Sequence, residues 1–335
     1  MTTRSWLTRT GVALLGTTAA VGMAGAPAQA ASTGVASVTN QGEVSFKAGS
    51  GKVNRVRITE SGGTVTIDDR VTVKAGKGCT AVKGDKTKVT CADVRWVNAN
   101  LGDRGDVFVN ASGVSTYVYG GTGHDKITGG TGYDTIRGGP GNDTIHGGDG
   151  FDILNGDSGN DLVYGDAGDD RLYDGSGNDR HWGGAGNDTL SDKKGNDRYY
   201  GGSGDDVFRV GEAPVQADRF YGGSGTDTVS YEWSAKAVTA DADGKADDGR
   251  KGEKDLIGTD VENLTGGRGD DKLYGTSGPN RLDGGPGNDK IYGRGGDDLL
   301  IGHSGKDYLN GGAHVDGDTC WTDAKDTTVN CEIIR

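Results

Sequence analysis

The sequence has few of the residues that build an ordinary globular core. Hydrophobic residues make up 32% of its 335 residues and aromatic residues 7%, whereas 65 residues are Gly. Ordering glycine costs more backbone entropy than ordering any other residue, and so few apolar side chains offset little of that cost. The composition therefore excludes a set of conventional globular domains. It leaves either a disordered chain or one whose folding energy is partly supplied from outside.

Long apolar runs and an excess of positive charge are also missing. Residues 1–30 carry Arg4 and Arg9, then a short apolar run, and end on Ala28 and Ala30, which predicts a secretory signal peptide cleaved after Ala30. Neither this segment nor any later one is long and apolar enough to span a membrane. Without residues 1–30, which contain two cationic residues and no acid, the formal net charge changes from −13 to −15. This acidity disfavours nucleic acid as a partner and favours cations.

Catalytic motifs are absent as well. The sequence contains no H-E-x-x-H, no G-x-S-x-G and neither of the glycine-rich nucleotide-binding patterns. The nearest approach, GHSGK at residues 302–306, fails at its last position. We therefore predict that the protein is not an enzyme.

Cysteine is scarce, and the four that are present form two closely spaced pairs. An even number of cysteines in an exported chain predicts disulfide bonds, for which three pairings are possible. Because each neighbouring pair brackets one short loop, we expect the local pairing, Cys79–Cys91 and Cys320–Cys331.

The chain divides into segments of different composition. Residues 31–117 contain short β-branched runs that alternate with turns in a period of two, which predicts strands. These strands form either a separate small sandwich or, as we prefer, the opening coils of a solenoid. Two repeat blocks follow, at residues 118–230 and 266–317, separated by an insertion or irregular coils at 231–265. Residues 318–335 form a C-terminal cap closed by the second disulfide.

A nonapeptide, G-G-x-G-x-D-x-U-x, repeats without a break from Gly120 to Arg209. In these ten units the fourth position is always Gly and the sixth always Asp, and the eighth is apolar or aromatic except at His181. Five further units run from Gly266 to Asn310. Such a register is typical of a solenoid in which each unit is a tight turn followed by a short strand, and no unit buries its apolar residue alone.

Stacking these units creates an electrostatic problem. Two units make one coil, so the sixth-position carboxylates recur at about the 4.8 Å spacing of neighbouring strands. Like charges at that distance repel by about 1 kcal/mol in bulk water and by several times more near a protein surface. A divalent cation reverses the sign, and Ca²⁺ suits carboxylate and carbonyl oxygens better than Mg²⁺ or a transition metal does.

Units such as GGTGYDTIR (129–137), GGPGNDTIH (138–146) and GGPGNDKIY (284–292) resemble the RTX, or haemolysin-type calcium-binding, repeat. The resemblance implies an all-β fold, a right-handed parallel β-roll, here with a β-rich N-terminal cap. It also implies that Ca²⁺ is bound by the sixth-position aspartates and by oxygens of the neighbouring glycine-rich turn. These aspartates are Asp125, Asp134, Asp143, Asp152, Asp161, Asp170, Asp179, Asp188, Asp197, Asp206, Asp227, Asp271, Asp289, Asp298 and Asp307.

Two units depart from the pattern. Asn280 replaces the aspartate in GTSGPNRLD, so we expect a weak or missing site there. DKKGNDRYY keeps Asp197 but lacks both leading glycines, so Asp192 and Lys193 have to adopt the turn.

Taken together, these features predict a secreted, extracellular, monomeric calcium-binding protein with a structural or interaction role and no identified macromolecular partner. One alternative is a polysaccharide-active or other secreted hydrolase that uses the 231–265 insertion. Another is an adhesin, since RGD occurs at Arg104–Asp106 and Arg268–Asp270. An ice-binding face would need regular threonines, but the ninth position of successive units is irregular: Thr128, Arg137, His146, Asn155 and Tyr164.

Overall fold

The computed structural model describes residues 33–39, 41–212, 216–313 and 317–335. The expected signal peptide, residues 1–30, lies outside the described residues, as does His314. Every regular element within the described residues is a β-strand. None of these residues forms a helix long and apolar enough to cross a membrane.

The strands are numbered in chain order. Those before the repeats are β1 (Gly34–Val38), β2 (Glu43–Lys47), β3 (Arg55–Ser61), β4 (Thr64–Asp68), β5 (Val73–Ala75), β6 (Cys79–Ala81), β7 (Lys88–Ala92), β8 (Trp96–Asn100), β9 (Val107–Asn110) and β10 (Ser115–Tyr119). Those of the first block are β11 (Lys126–Gly130), β12 (Asp134–Pro140), β13 (Thr144–Asp149), β14 (Ile153–Ser158), β15 (Leu162–Ala167), β16 (Arg171–Ser176), β17 (Arg180–Ala185), β18 (Thr189–Ser191), β19 (Arg198–Ser203), β20 (Val207–Arg209), β21 (Arg219–Ser224) and β22 (Thr228–Ser230). The remainder are β23 (Val238–Asp241), β24 (Ala246–Arg250), β25 (Asp255–Ile257), β26 (Asn263–Thr265), β27 (Lys272–Tyr274), β28 (Arg281–Asp283), β29 (Lys290–Gly295), β30 (Leu299–Ile301), β31 (Tyr308–Ala313), β32 (Thr319–Trp321), β33 (Thr327–Val329) and β34 (Ile333–Ile334).

Successive strands of the repeats alternate between two parallel sheets. The first face contains β10, β12, β14 and the following even-numbered strands of the first block, and the second face contains β9, β11, β13 and the odd-numbered ones. Strands two units apart pair in register, so that Ile127 lies beside Ile145 and Ile136 beside Leu154. Two units therefore form one coil, as the stacking argument predicted, and the fold is an all-β parallel solenoid.

The core is a pair of ladders built from the eighth position of each unit. On the first face the ladder continues through Ile136, Leu154 and Leu172, each fully buried. Side chains of a strand alternate between its two surfaces, so one apolar residue in a three-residue strand is enough to add one rung. This arrangement explains how a chain with so little apolar content still has a continuous interior.

Residues before the repeats extend both faces. On the first face β8 pairs in parallel with β10 and with β2, and on the second face β3 pairs in parallel with β9. An antiparallel arrangement of β3, β4, β7 and β6 packs at this end, and the Cys79–Cys91 disulfide joins β6 to β7. At the other end, Cys320 of β32 is bonded to Cys331, just before β34.

The insertion affects only one face. On the first face β22 pairs directly with β26, so this sheet continues past the insertion. On the second face β25, β24 and β23 lie between β21 and β27, and β24 is antiparallel to both of its neighbours. The insertion is therefore a local three-strand expansion of the second face.

A column of stacked aromatic rings covers the outside of the second face. It contains His146, Tyr164, Trp182, Tyr200 and Tyr221, whose successive ring centroids are 4.4, 4.4, 5.3 and 5.1 Å apart, with the planes tilted by 10° or less. Because each interior ring is covered on both faces by its neighbours, the column presents ring edges to solvent. Trp182 is therefore a packing residue and offers no open face on which a sugar could stack.

We expect Ile136→Ala to lower the free energy of unfolding in calcium by about 3 kcal/mol, because it removes a fully buried rung between Val118 and Leu154. Thr135→Ala changes the adjacent, partly exposed side chain of the same strand and should cost about 0.5 kcal/mol or less. Urea unfolding followed by circular dichroism measures both variants. Equal losses in the two would contradict a single-residue ladder.

Candidate metal centres

Each repeat turn brings a carboxylate close to the carbonyl groups of the neighbouring coil. At Gly120, an added methyl group would lie 2.5 Å from the carbonyl oxygen of Gly138 and 2.6 Å from Asp125 Oδ2. The first-position glycine thus leaves open the space into which the two oxygens project. Gly123, with φ of 136°, adopts a backbone conformation that residues with a side chain rarely adopt, which allows the tight turn.

One oxygen of each sixth-position aspartate fastens two coils together. The backbone N–H of Asp125 donates to Asp143 Oδ1 at 2.8 Å, that of Asp143 to Asp161 Oδ1 at 2.7 Å, and that of Asp161 to Asp179 Oδ1 at 2.6 Å. The same contact recurs between successive coils on the opposite edge, for example from Asp134 to Asp152. The aspartates thus form two continuous ladders, one in the turns that lead into each face.

The structure divides the expected ligands between these ladders. Turns leading into the second face contain Asp125, Asp143, Asp161, Asp179 and Asp197 and, after the insertion, Asp271, Asp289 and Asp307. Turns leading into the first face contain Asp134, Asp152, Asp170, Asp188, Asp206, Asp227 and Asp298. All fifteen are buried, with at most 3% of any side chain exposed.

The second oxygen of most of these aspartates has nothing to bind. In thirteen of the fifteen, Oδ2 is buried and has no hydrogen-bond partner among the described residues. The exceptions are Asp134 and Asp271, whose Oδ2 atoms accept the N–H of Gly130 and Gly267. A buried ionised oxygen without a partner costs free energy. Its regular recurrence beside carbonyl oxygens therefore indicates a cation ligand.

Asn280 satisfies its own side chain with protein groups. Its Oδ1 accepts the N–H of Thr276 at 2.6 Å, and its Nδ2 donates to the carbonyl of Glu262 at 2.7 Å. The amide nitrogen is therefore hydrogen-bonded to a turn carbonyl of the adjacent coil, which is then not free to bind an ion. We therefore keep the prediction of a weak or missing ion site at this position.

Four further aspartates lie in the same ladders although their units lack the glycine pattern. Asp106 accepts the N–H of Asn54, Asp218 that of Asp197, Asp255 that of Asp218 and Asp318 that of Asp298. Each begins an Asp-x-apolar-x tetrapeptide, which is the second half of the repeat. A search for that half alone would have identified them in the sequence.

Burial raises the pKa values of these carboxyl groups, and the charges of neighbouring aspartates raise some of them further. The pKa of Asp143 rises to about 6, that of Asp152 to about 7, and those of Asp161 and Asp170 to about 8. Hydrogen bonds from backbone N–H groups oppose these shifts. Without a cation, the fold therefore favours protons on its ladder.

The oxygen set fits a hard divalent cation. Carboxylate oxygens and backbone carbonyls from two coils are the ligands that Ca²⁺ uses in proteins, and no cysteine lies in the ladder turns described above. Two of these turns contain a histidine, but His124 Nδ1 accepts the N–H of Asn142 and His303 Nε2 pairs with Asp283. Ca²⁺ bound there would neutralise the paired carboxylates and occupy the unpartnered Oδ2 atoms.

Comparison with known families gives the same result. The model of the RTX calcium-binding nonapeptide repeat matches residues 119–154, 146–180, 155–190, 173–208, 216–232, 258–291, 265–300 and 283–316. The chain belongs to the RTX calcium-binding repeat family. Together the matches span about half of this RTX chain. They cover the nonapeptide units of both blocks and leave out most of the irregular region between them. No curated protein matches it.

Calcium removal should make the stability of this RTX protein fall as pH rises. An unfolded aspartate has a pKa of about 3.9, so the ion-free folded chain holds more protons than the unfolded chain between about pH 4 and 8. Its free energy of unfolding therefore decreases across that window as the carboxylates become charged.

Thermal unfolding at pH 5, 6, 7 and 8 tests this expectation, using protein stripped of metal on a chelating resin. We expect the midpoint to fall with pH in the stripped protein and to recover at pH 8 when millimolar Ca²⁺ is added. A midpoint that rises with pH in the stripped protein would contradict the assignment of unpartnered ladder carboxylates.

Proposed function

We propose that this is a secreted, extracellular, monomeric protein whose β-roll folds around calcium. The ligands are the fifteen sixth-position aspartates together with carbonyl oxygens of the neighbouring turns. The observation that carries the proposal is the repeated buried Oδ2 without a partner, as in Asp143 and Asp161. Because the two coils that form such a site are not held together in an unfolded chain, binding and folding are coupled.

Secretion is supported by the N-terminal segment and by the cysteines. Residues 1–30 have the pattern of a cleavable export signal, and all four cysteines are paired in disulfides. Disulfide bonds persist in oxidising compartments and are rare in the cytosol. Extracellular calcium, at millimolar concentration, would keep even modest sites occupied.

A structural or interaction role fits the insertion better than hydrolysis does. Both carboxylate oxygens of Asp248 accept backbone N–H groups, from Asp241 and Ile257, and Arg250 is paired with Glu253. The cleft beside the insertion, between Ala242 and Gly295, is lined by a single carboxylate. A pair of free acids, which glycoside hydrolysis requires, is not presented there.

The adhesin alternative gains little support. Asp106 of the first RGD sequence is only 1% exposed and belongs to a ladder. Asp270 of the second is exposed but accepts hydrogen bonds from Asn288. We therefore propose no integrin-type contact.

Calorimetric Ca²⁺ titration of the full chain tests the proposed function. Counting stacked pairs of intact turns gives roughly ten ions per chain. We expect a large gain of β-type circular dichroism as calcium is added to the stripped protein. An unchanged spectrum, or a count near zero, would overturn the proposal.

Asn280→Asp should add an ion site. It replaces the amide that donates to the Glu262 carbonyl with a carboxylate, so that both oxygens can bind an ion. The matched loss is Asp298→Asn in the next coil of the same ladder, whose Oδ2 has no partner. Equilibrium dialysis should give about one more ion in the first variant and about one fewer in the second. Counts that stay unchanged in both would show that the sixth position does not supply the ligand.

A further inference from the structure

Two units that stack on each other in adjacent coils share a change that no other unit of the unbroken block has. Units 174–182 and 192–200 begin with Asp174 and Asp192, where the other eight begin with glycine. Their strands, β17 and β19, pair directly, so these residues occupy the same turn position in adjacent coils. The rungs of these two units are His181, the one polar residue at the eighth position of the unbroken block, and Tyr199, which lies beside it in the ladder.

The first turn position points at the ladder carboxylate of its own unit. Where it is glycine, an added Cβ would contact Oδ2 of the aspartate five residues later, as at Gly120 and Asp125. An aspartate at this position therefore places a second carboxylate in the interior. One ligand atom each from Asp174, Asp192 and Asp197 lies within 4.8 Å of the others. The three side chains are 0%, 5% and 0% exposed.

Protein donors reach both oxygens of Asp174 and of Asp192 but, within the described part of the chain, leave one oxygen of Asp197 without a partner. Backbone N–H groups of Gly175 and Lys193 donate to Asp174, and that of Gly211 donates to Asp192. The single hydroxyl of Tyr199 lies 2.7 Å from Asp174 Oδ2 and 3.2 Å from Asp192 Oδ1, and its one proton is donated to one of them at a time. The side-chain amide of Gln216 donates to Asp192 at 3.1 Å. Asp197 Oδ2 is buried and has no partner among the described residues.

No cationic side chain among the described residues forms an ion pair with these three carboxylates. Arg250 interacts with Asp192 through its field, but its guanidinium is bound to Glu253. Three carboxylates thus converge in the interior without a counter-charge in contact. Removing charge from water at such a point is strongly unfavourable unless an ion or protons compensate it.

We propose that Asp174, Asp192 and Asp197 bind one hard divalent cation, Ca²⁺ in the extracellular setting, at an interior site in addition to the turn sites. Ca²⁺–oxygen distances are about 2.4 Å, so two ligands of one ion lie at most about 4.8 Å apart, and one atom from each of these three side chains lies within that limit of the others. The Tyr199 hydroxyl and the Gln216 amide orient the two added carboxylates. This inference deepens the proposed function, and it rests on that proposal because Asp197 is also one of the fifteen proposed calcium ligands.

The decisive variant restores the repeat's own residue at both positions, as Asp174→Gly with Asp192→Gly. A matched control is Asp157→Gly with Asp166→Gly, which also removes two carboxylates and also restores the repeat glycine, at second turn positions where φ is 71° and 73°. Bound calcium is measured on the full chain by atomic absorption after gel filtration in a calcium buffer.

We expect the first double variant to bind one ion fewer than the wild type and the control to keep the wild-type count. The bound ions should also differ in release. One ion per wild-type chain should survive brief exposure to EGTA longest, because three carboxylates bind it and Ca²⁺ affinity depends on the number of charged ligands, and the variant should lack this fraction. Asp174→Asn with Asp192→Asn keeps the side-chain shape, and this second variant should lose the same ion.

An equal calcium count in the wild type, in the Gly double variant and in the Asn double variant at residues 174 and 192 would overturn the inference. It would mean that Asp174 and Asp192 hold protons shared with Tyr199. In that case the wild type still binds calcium at its turns, so the proposed function stands. A wild type that binds no calcium would overturn both.

Discussion

The rest of the structure depends on the way in which each ladder aspartate divides its two oxygens. Oδ1 accepts the backbone N–H of its counterpart one coil away, as in the 2.7 Å contact between Asp143 and Asp161, and so fixes the stacking register. Oδ2 is then held in the interior with no donor. Each such orphaned polar atom costs about 1–3 kcal/mol, and charge raises the cost. Thirteen of them cost as much as, or more than, the total stability of about 5–15 kcal/mol that a folded domain usually has. The charged, ion-free roll is thus unstable for the same reason that its coils are in register.

This division also explains the composition. A turn whose carbonyl oxygens face a carboxylate of the next coil leaves little space for a Cβ, as the close contacts at Gly120 show. Glycine is therefore required by close approach as much as by backbone conformation. If cations compensate the ladder charge as we propose, each unit needs only one apolar rung such as Ile145. The low hydrophobic content, which in an isolated chain indicates disorder, is sufficient once an ion contributes to each coil.

Much of this could be predicted from the sequence, because the nonapeptide places turn, ligand and rung at fixed positions. The fold class, the pairing of alternate units and the burial of residues such as Leu154 follow from that register. Features that depend on comparing every second unit were missed. Consecutive ninth positions look irregular, but alternate ones, from His146 through Tyr164 to Trp182, form an aromatic column on one face. A coil of two units makes the relevant period eighteen residues instead of nine.

Ladder members in irregular units were missed for a different reason. Asp106 and Asp255 keep the Asp-x-apolar-x half of the unit but lack the glycine of the fourth position, and a search for whole repeats passes over them. The path of the insertion could not be predicted either, because its strands β23, β24 and β25 pair partly in antiparallel. These strands form successive local hairpins, in which Val238 pairs with Arg250 and Ala246 with Leu256, and their turns and register do not follow the nonapeptide.

The irregular position at Asn280 shows that the requirement for an ion comes from charge and not from the coil itself. There the amide nitrogen donates to the Glu262 carbonyl, and the amide oxygen accepts a turn N–H, so both side-chain atoms are satisfied without a cation. The stacking contact to the next coil is nevertheless kept, since the Asn280 N–H donates to Asp298 Oδ1 at 2.9 Å. A coil of this fold can therefore stack with a neutral side chain at the sixth position. Under the proposed function, aspartate at the other positions makes the same stacking conditional on calcium.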